Sequence, residues 1–471
     1  MIMISQHDQE IVTDSIKAGK IDAATVSEGN LVDEVLLSMH RTGILKGIEE
    51  YIPDHRERRS IPFSMIVTLG IGAKMKIATS MTDIPFAIQS AKTLGELGYC
   101  MWDTERDLRK GLMDEGSIRK LVEKYHAEEW VDGYNQYVQK HVLSRMEIEP
   151  DIHILDVTLV EVNLENANYE DAEVVKDGDG AHRGYKLATL RGICGDRGVI
   201  EEIRFGSIRE HDFKLSEEML RTTLVFKPGD ILLMDRGFID RKIINYLKRE
   251  RGVDVYIPLR KGMDAYEEAI KIAKPTKTPD TAAQSKPEEK WSAHPNPKRK
   301  TQKIKRVSNL GMFWVSEEPE QDVDLTGCVV WDQKKDEYYV FVTTDIEARA
   351  RQIITTYQLR PEIEEDYRQI KDFWKIEDFN SRKKGVIMFH MMCVLLGYLF
   401  FQLFAQTLEG EEWAGKSLPV ALKKYISNEP AAVIICVGQY FAVYKLLEIM
   451  QLYASLGVDV RARLDVILRL A

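Results

Sequence analysis

The sequence predicts a mixed α/β fold in two or three domains, and three observations predict it. Residues 1 to about 140 follow helical periods. From Ile152 the texture turns to β, with three apolar runs close together, and a strand–helix–strand unit follows them. A chain of 471 residues exceeds what one core usually organises, hence the division. A net charge of −10 excludes a uniformly basic nucleic-acid coat, so any such partner must meet a local concentration of Lys and Arg.

Leu31 to Leu45 and Ser117 to Tyr125 repeat apolar residues at helical spacing, and nothing before residue 140 reads as a strong strand. His153 to Val162, Gly184 to Ile193 and Val199 to Gly206 read as sequential strands. Cys194-Gly195-Asp196-Arg197-Gly198 is a hairpin turn between the last two, so an antiparallel meander is expected. A helix over Asp212–Thr222 leads to a strand over Asp230–Asp235, a helix over Ile239–Gly252 and a strand over Val253–Pro258.

Lys274 to Asn309 carries five prolines and the run Lys298, Arg299, Lys300, Lys303, Lys305, Arg306, which reads as a flexible or extended insert. Short strands are expected at Gly311–Ser316, Gly327–Trp331 and Tyr338–Thr343, with helices from about Asp345 almost to the C-terminus. The expected division is a helical region 1–145, a core of 146–261 with 345–408, an insertion 262–344 and a helical region 409–471.

The five cysteines form no C-x-x-C pair and read as core thiols of a reducing cytosol. The first residues, MIMISQHDQE, lack the basic start and apolar stretch of a signal peptide. Val386–Ala405 is apolar enough to cross a membrane, but it contains His390 and Gln402 and reads as a buried core helix. A cytoplasmic protein with no membrane partner is therefore expected.

Two motifs fail. Gly70-Ile71-Gly72 lacks the third glycine of a dinucleotide loop, and Asp177-Gly178-Asp179-Gly180 lacks the later ligands of a calcium loop. No G-x-x-x-x-G-K-[ST] and no H-E-x-x-H occurs.

One constellation survives. Asp156 lies within an apolar strand, where a carboxylate is costly unless a cation or strong donors compensate it, although an exposed edge strand would also tolerate it. Asp235 ends the fourth strand, where a turn or cap carboxylate is an equal reading. Pro361 suits the first turn of a helix in which Glu364 and Lys371 stand two turns apart on one face, with Arg360 at the helix start. By composition alone this could equally be a solvated, salt-bridged helix.

Tyr357, Arg360, Glu364 and Lys371 match Y-x2-R-x3-E-x6-K, with Asp156 and Asp235 before them. The chain thereby resembles the DDE transposases of bacterial insertion sequences, in the insertion-sequence-four group, over roughly Ile152 to Phe404 with further likeness at Met81–Ile84 and Gly116–Arg119. The resemblance implies a ribonuclease H-like catalytic core with a β-rich insertion and a helical, DNA-binding N-terminal domain. It implies that Asp156, Asp235 and Glu364 are catalytic and hold two Mg²⁺ ions, for which Mn²⁺ can substitute, and that Tyr357, Arg360 and Lys371 contact DNA phosphates. Element ends would be cut and joined to target DNA by hydrolysis and transesterification. The partners implied are double-stranded DNA, both terminal inverted repeats and target, and a second copy of the chain on paired ends. The helical tail is a candidate contact surface for that second copy.

Several members of the family pass through a DNA hairpin and stack a flipped base. Trp291, Phe313, Trp314 and Trp331 are available for that, although core packing is the weightier reading for each. The basic run Lys298–Arg306 is the expected DNA contact of an acidic chain, near the mouth of the site. The competing readings are a catalytically inactive, transposase-derived DNA-binding or regulatory protein and a ribonuclease H-like nuclease.

Overall fold

Ile154 and Leu155 are both fully buried, on opposite faces of one strand, so the strand that carries them must run through the middle of a covered sheet. In the computed structural model that strand is β3 (Ile152–Val162). Described are residues 6–27, 31–57, 61–78, 80–88, 91–98, 114–178, 180–195, 197–274, 290–314, 318–421 and 432–470.

Before β3, the described residues form two short strands, β1 (Gln6–His7) and β2 (Ala23–Ser27), and the α-helices α1 (Gln9–Lys17), α2 (Leu31–Arg41), α3 (Ile48–Tyr51), α4 (Phe63–Met75), α5 (Ala91–Glu96), α6 (Glu115–Val122), α7 (Ala127–Tyr137) and α8 (Leu143–Arg145). Gly70 and Gly72 are buried within α4, not in a loop.

The first part of the central sheet comprises β3, β4 (Glu173–Asp177), β5 (Gly180–Cys194), β6 (Arg197–Ser207), β7 (Ile231–Met234) and β8 (Asp254–Pro258). β5 runs antiparallel to β3, and its other edge is shared: β4 takes residues 180–184 and β6 takes residues 185–194. The expected meander is therefore present, closed by the turn at Gly195, whose φ of 64° suits glycine. Short, polar-flanked β4 escaped the sequence reading. β7 lies parallel to β3, and β8 parallel to β7, with α9 (Asp212–Thr222) and α10 (Arg241–Glu250) as the connecting helices.

The sheet does not stop there. Beyond α11 (Asp264–Ala273) come β9 (Ser292–Ala293), β10 (Gln302–Leu310), β11 (Leu325–Asp332) and β12 (Glu337–Thr343), and β12 pairs with β8, so the insertion extends the same sheet to ten strands. Of the strand expected at Gly311–Ser316, residues 315–316 lie outside the described residues. Residues 311–314 form none, while β10 runs through the second half of the basic run, its core contacts supplied by Ile304, Val307 and Leu310 between the cations.

Helices α9, α10 and α11 cover one face of the sheet, packing on Leu155, Met234 and Val255. The other face receives α12 (Ala350–Tyr357) and α13 (Glu362–Arg368), which pack on Ile154, Leu233 and Tyr256. Next comes α14 (Lys384–Phe404), apolar all round and surrounded by the N-terminal helices; 94% of its most apolar stretch is buried inside the protein, as a core helix requires. The outer edge of β6 is closed by α7: the Asn135 amide donates to the Ile203 carbonyl at 3.0 Å and accepts from its N–H at 2.9 Å.

The tail departs from expectation. β13 (Ala432–Val437) and β14 (Tyr440–Lys445) form a hairpin that joins β1 and β2 in a separate four-stranded sheet of order β1-β14-β13-β2. Helices Leu446–Ser455 and Val458–Leu470 follow. Both regions read as helical therefore also contain strands. The run AVIICV-GQ-YFAVYK is β-branched and aromatic around a two-residue turn, and those are strand properties.

Candidate active site

In the pairing of β3 with β7, Leu155 stands beside Met234, so Asp156 and Asp235 are the next residues along two adjacent parallel strands. Asp156 shares a sheet face with Ile154, the face on which α13 lies, and its side chain is 15% exposed. Asp235 begins the single turn Arg236–Phe238, but its side chain makes no capping hydrogen bond and is not consumed as a cap.

Glu364 projects from the first turn of α13 with a side chain 56% exposed. Arg360 joins the two elements: its guanidinium donates to Asp156 Oδ2 at 3.0 Å and pairs with Glu364. Tyr357 Oη donates to the Met234 carbonyl at 3.3 Å, tying the end of α12 to the strand that delivers Asp235. Lys371 is engaged elsewhere, 3.1 Å from Glu377, whose carboxylate also accepts from the backbone N–H of Glu161 near the end of β3.

Burial raises the Asp156 pKa to about 6; Arg360 opposes the shift, while the neighbouring charges of Asp235 and Glu364 add to it. The three acids therefore feel one another, and a single guanidinium leaves them under-compensated. Three carboxylates are the hard oxygen donors that Mg²⁺ and Mn²⁺ select. Among the described residues no three His, Cys, Asp or Glu side chains are grouped tightly enough to hold a metal ion, and Arg360 lies between Asp156 and Glu364. The donor chemistry fits a divalent ion, with Arg360 the group that would have to give way.

The basic run is split by β10. Lys298, Arg299 and Lys300 are exposed ahead of the strand and Lys303 is half-buried on it. Lys305 donates to the Ala273 carbonyl at 3.2 Å, and Arg306 to the carbonyls of Ala348 and Ile346, so these two hold neighbouring backbone. Strand directions put the start of β10 at the same end of the sheet as Asp235, but five strands from β3, or roughly 24 Å. The run is thus farther from Asp156 than expected. Arg236, Arg260 and Lys261, which the sequence reading passed over, are exposed immediately after β7 and β8 and form no ion pair among the described residues. Their signal was position alone: in parallel α/β sheets, ligands gather at the carboxyl ends of strands.

The aromatic candidates are divided as well. Phe313 is fully buried, Trp314 is exposed, and Trp331 stacks on Tyr338 at 6.0 Å with Trp291 beside it.

Fold and site together define a mixed α/β protein with an acidic centre where β7 ends beside the middle of the parallel strand β3, faced by a helix-borne glutamate. The transposase DDE domain family matches residues 147–400, just over half of the chain, and the chain belongs to that family: it is a DDE transposase. No curated protein matches the chain.

Proposed function

We propose that the chain is an active transposase of the insertion-sequence-four group, built on a ribonuclease H-like core, that cuts the ends of its element and joins them to target DNA. The observation that carries this reading is the adjacency of Asp156 and Asp235 in register, with Glu364 brought to them through Arg360. The strand order β6-β5-β3-β7-β8, with β3, β7 and β8 parallel, supports the core assignment. Asp156, Asp235 and Glu364 would hold the divalent ions, Mg²⁺ or Mn²⁺, which when bound supply an activated nucleophile and charge stabilisation at the leaving oxygen.

The protein's own groups orient the DNA. Arg360, a planar two-point donor, exchanges its carboxylate partners for a phosphate, and Tyr357 stays anchored on Met234 to hold α12 in place. Lys371, in the helical turn that continues α13 over Gln369–Phe373, meets the DNA backbone farther along. Lys298, Arg299, Lys300 and Lys303 contact phosphates at a distance from the cut, and a second copy of the chain pairs the two ends.

The test is nicking of DNA carrying the element's ends. Asp156→Asn, Asp235→Asn and Glu364→Gln are each expected to reduce it to background while leaving end binding, whereas Glu365→Gln, which alters exposed contacts with Arg368 and Gln369 alone, nicks normally. Near-parental cleavage by any of the first three would remove that residue from the site. If all three retained cleavage, the catalytic reading would fall.

A further inference from the structure

We infer that Arg191 is a positioning residue for the helix-borne acid: it docks α13 on the sheet by gripping the side of the helix opposite Glu364. The inference rests on the reading of Glu364 as a member of the acidic centre, and it deepens that reading.

On β5, Arg191 pairs with Ile154 and Thr189 pairs with Asp156, so Arg191 projects from the sheet face that bears Asp156, one step toward the start of β3. It is 7% exposed. Its Nε donates to Asp366 Oδ2 at 2.5 Å, and Nη1 lies 3.0 Å from Glu362 Oε2. The second Asp366 oxygen accepts from Tyr398 Oη on α14 at 2.7 Å. Beside this grip, Thr189 Oγ1 and Tyr367 Oη are 2.6 Å apart. Room for the guanidinium comes from Gly198 on β6, where any Cβ would run into it.

Helical spacing explains the effect. Glu362 and Asp366 are four residues apart and share a face, while Glu364, two from each, turns to the other side. Holding the first pair therefore sets the rotation of the helix about its axis, and rotation decides whether Glu364 meets Asp156 and Asp235. An apolar contact would stabilise α13 as well, since a buried ion pair is a weak source of stability, but it would not fix direction. Direction matters because a displacement of about 1 Å in a reacting group can cost on the order of a hundredfold in rate.

The decisive variant replaces both charges by apolar groups, Arg191→Met with Asp366→Leu, which keeps the packing and leaves no buried charge behind. In the full chain, single-turnover nicking of end DNA in Mn²⁺ is expected to fall at least tenfold, with DNA affinity and melting temperature close to parental. Nicking at the parental rate by the folded double variant would overturn the inference. Should that variant fail to fold, Tyr398→Phe decides: it removes one hydroxyl, and a severalfold slower rate at unchanged DNA affinity supports the grip while a parental rate rejects it. Glu364→Gln separates the two levels. If it still nicks, the site reading itself has failed; if it is inert while the double variant nicks normally, only the role of Arg191 has.

Discussion

Asp156 is held in a compromise. A carboxyl group whose pKa is about 6 when folded and 3.8 ordinarily binds more protons in the folded state than in the unfolded state across that window. Stability is therefore lost as pH rises from about 4 to 6, and the full penalty, on the order of 3 kcal/mol, applies above it. Asp156→Asn is expected to raise the melting temperature at pH 7.5, to give little gain at pH 4, and to abolish cleavage; thermal melts at the two pH values check this, and equal gains at both would contradict it. Such an exchange of stability for function is what a carboxylate awaiting a cation should show. At this scale Asp156 and Asp235 were legible, because a carboxylate inside or ending an apolar strand conflicts with its surroundings. Arg191 and Asp366 were not, since nothing in either neighbourhood says that two residues so far apart in the chain will meet.

Among the elements, β3, β6 and β7 are joined at their common end by His153, whose Nδ1 lies 2.8 Å from Glu201 and whose Nε2 lies 3.2 Å from Asp230, all three side chains buried. Burial disfavours the charged imidazole, yet the two carboxylates outweigh it and raise its pKa to about 9. The gain from this raised pKa, about 3 kcal/mol, is present in full below pH 6.5 and lost as pH climbs through 9. Urea unfolding should show it as a midpoint that falls between pH 7 and pH 9.5, a fall much reduced in His153→Gln; an undiminished fall in that variant would exonerate the histidine. The basic run divides by element too. Replacing Lys298, Arg299 and Lys300 with Ala is expected to flatten the salt dependence of DNA binding by up to about 0.9 per lost contact. Lys305→Ala with Arg306→Ala should instead lower the melting temperature, because those side chains hold carbonyls of Ala273, Ala348 and Ile346; an unchanged salt slope in the first variant would leave those three cations without a DNA role. The meander and the strand–helix–strand unit were legible because each is a short apolar run bounded by turn residues. β10 was hidden by its own lysines and arginines, and β13 and β14 by merging into one apolar stretch across Gly438 and Gln439.

For the molecule as a whole, the proposed excision would have to coordinate two DNA ends, so two copies of the chain are expected on a pair of ends. Light scattering of the protein with end DNA should give a mass of two chains and two ends, and one chain per isolated end would count against pairing. The small sheet of β1, β2, β13 and β14 bears on how such a molecule comes into being. β2 finds its hydrogen-bonding partner only when residues 432–437 exist, more than four hundred positions after β2 itself. At roughly 5–20 residues per second on a ribosome, a nascent chain carries that strand unmatched for about 20–80 s. Before that interval ends the ten-stranded sheet has all of its strands available, so the acidic centre can be complete before β2 has closed on β13.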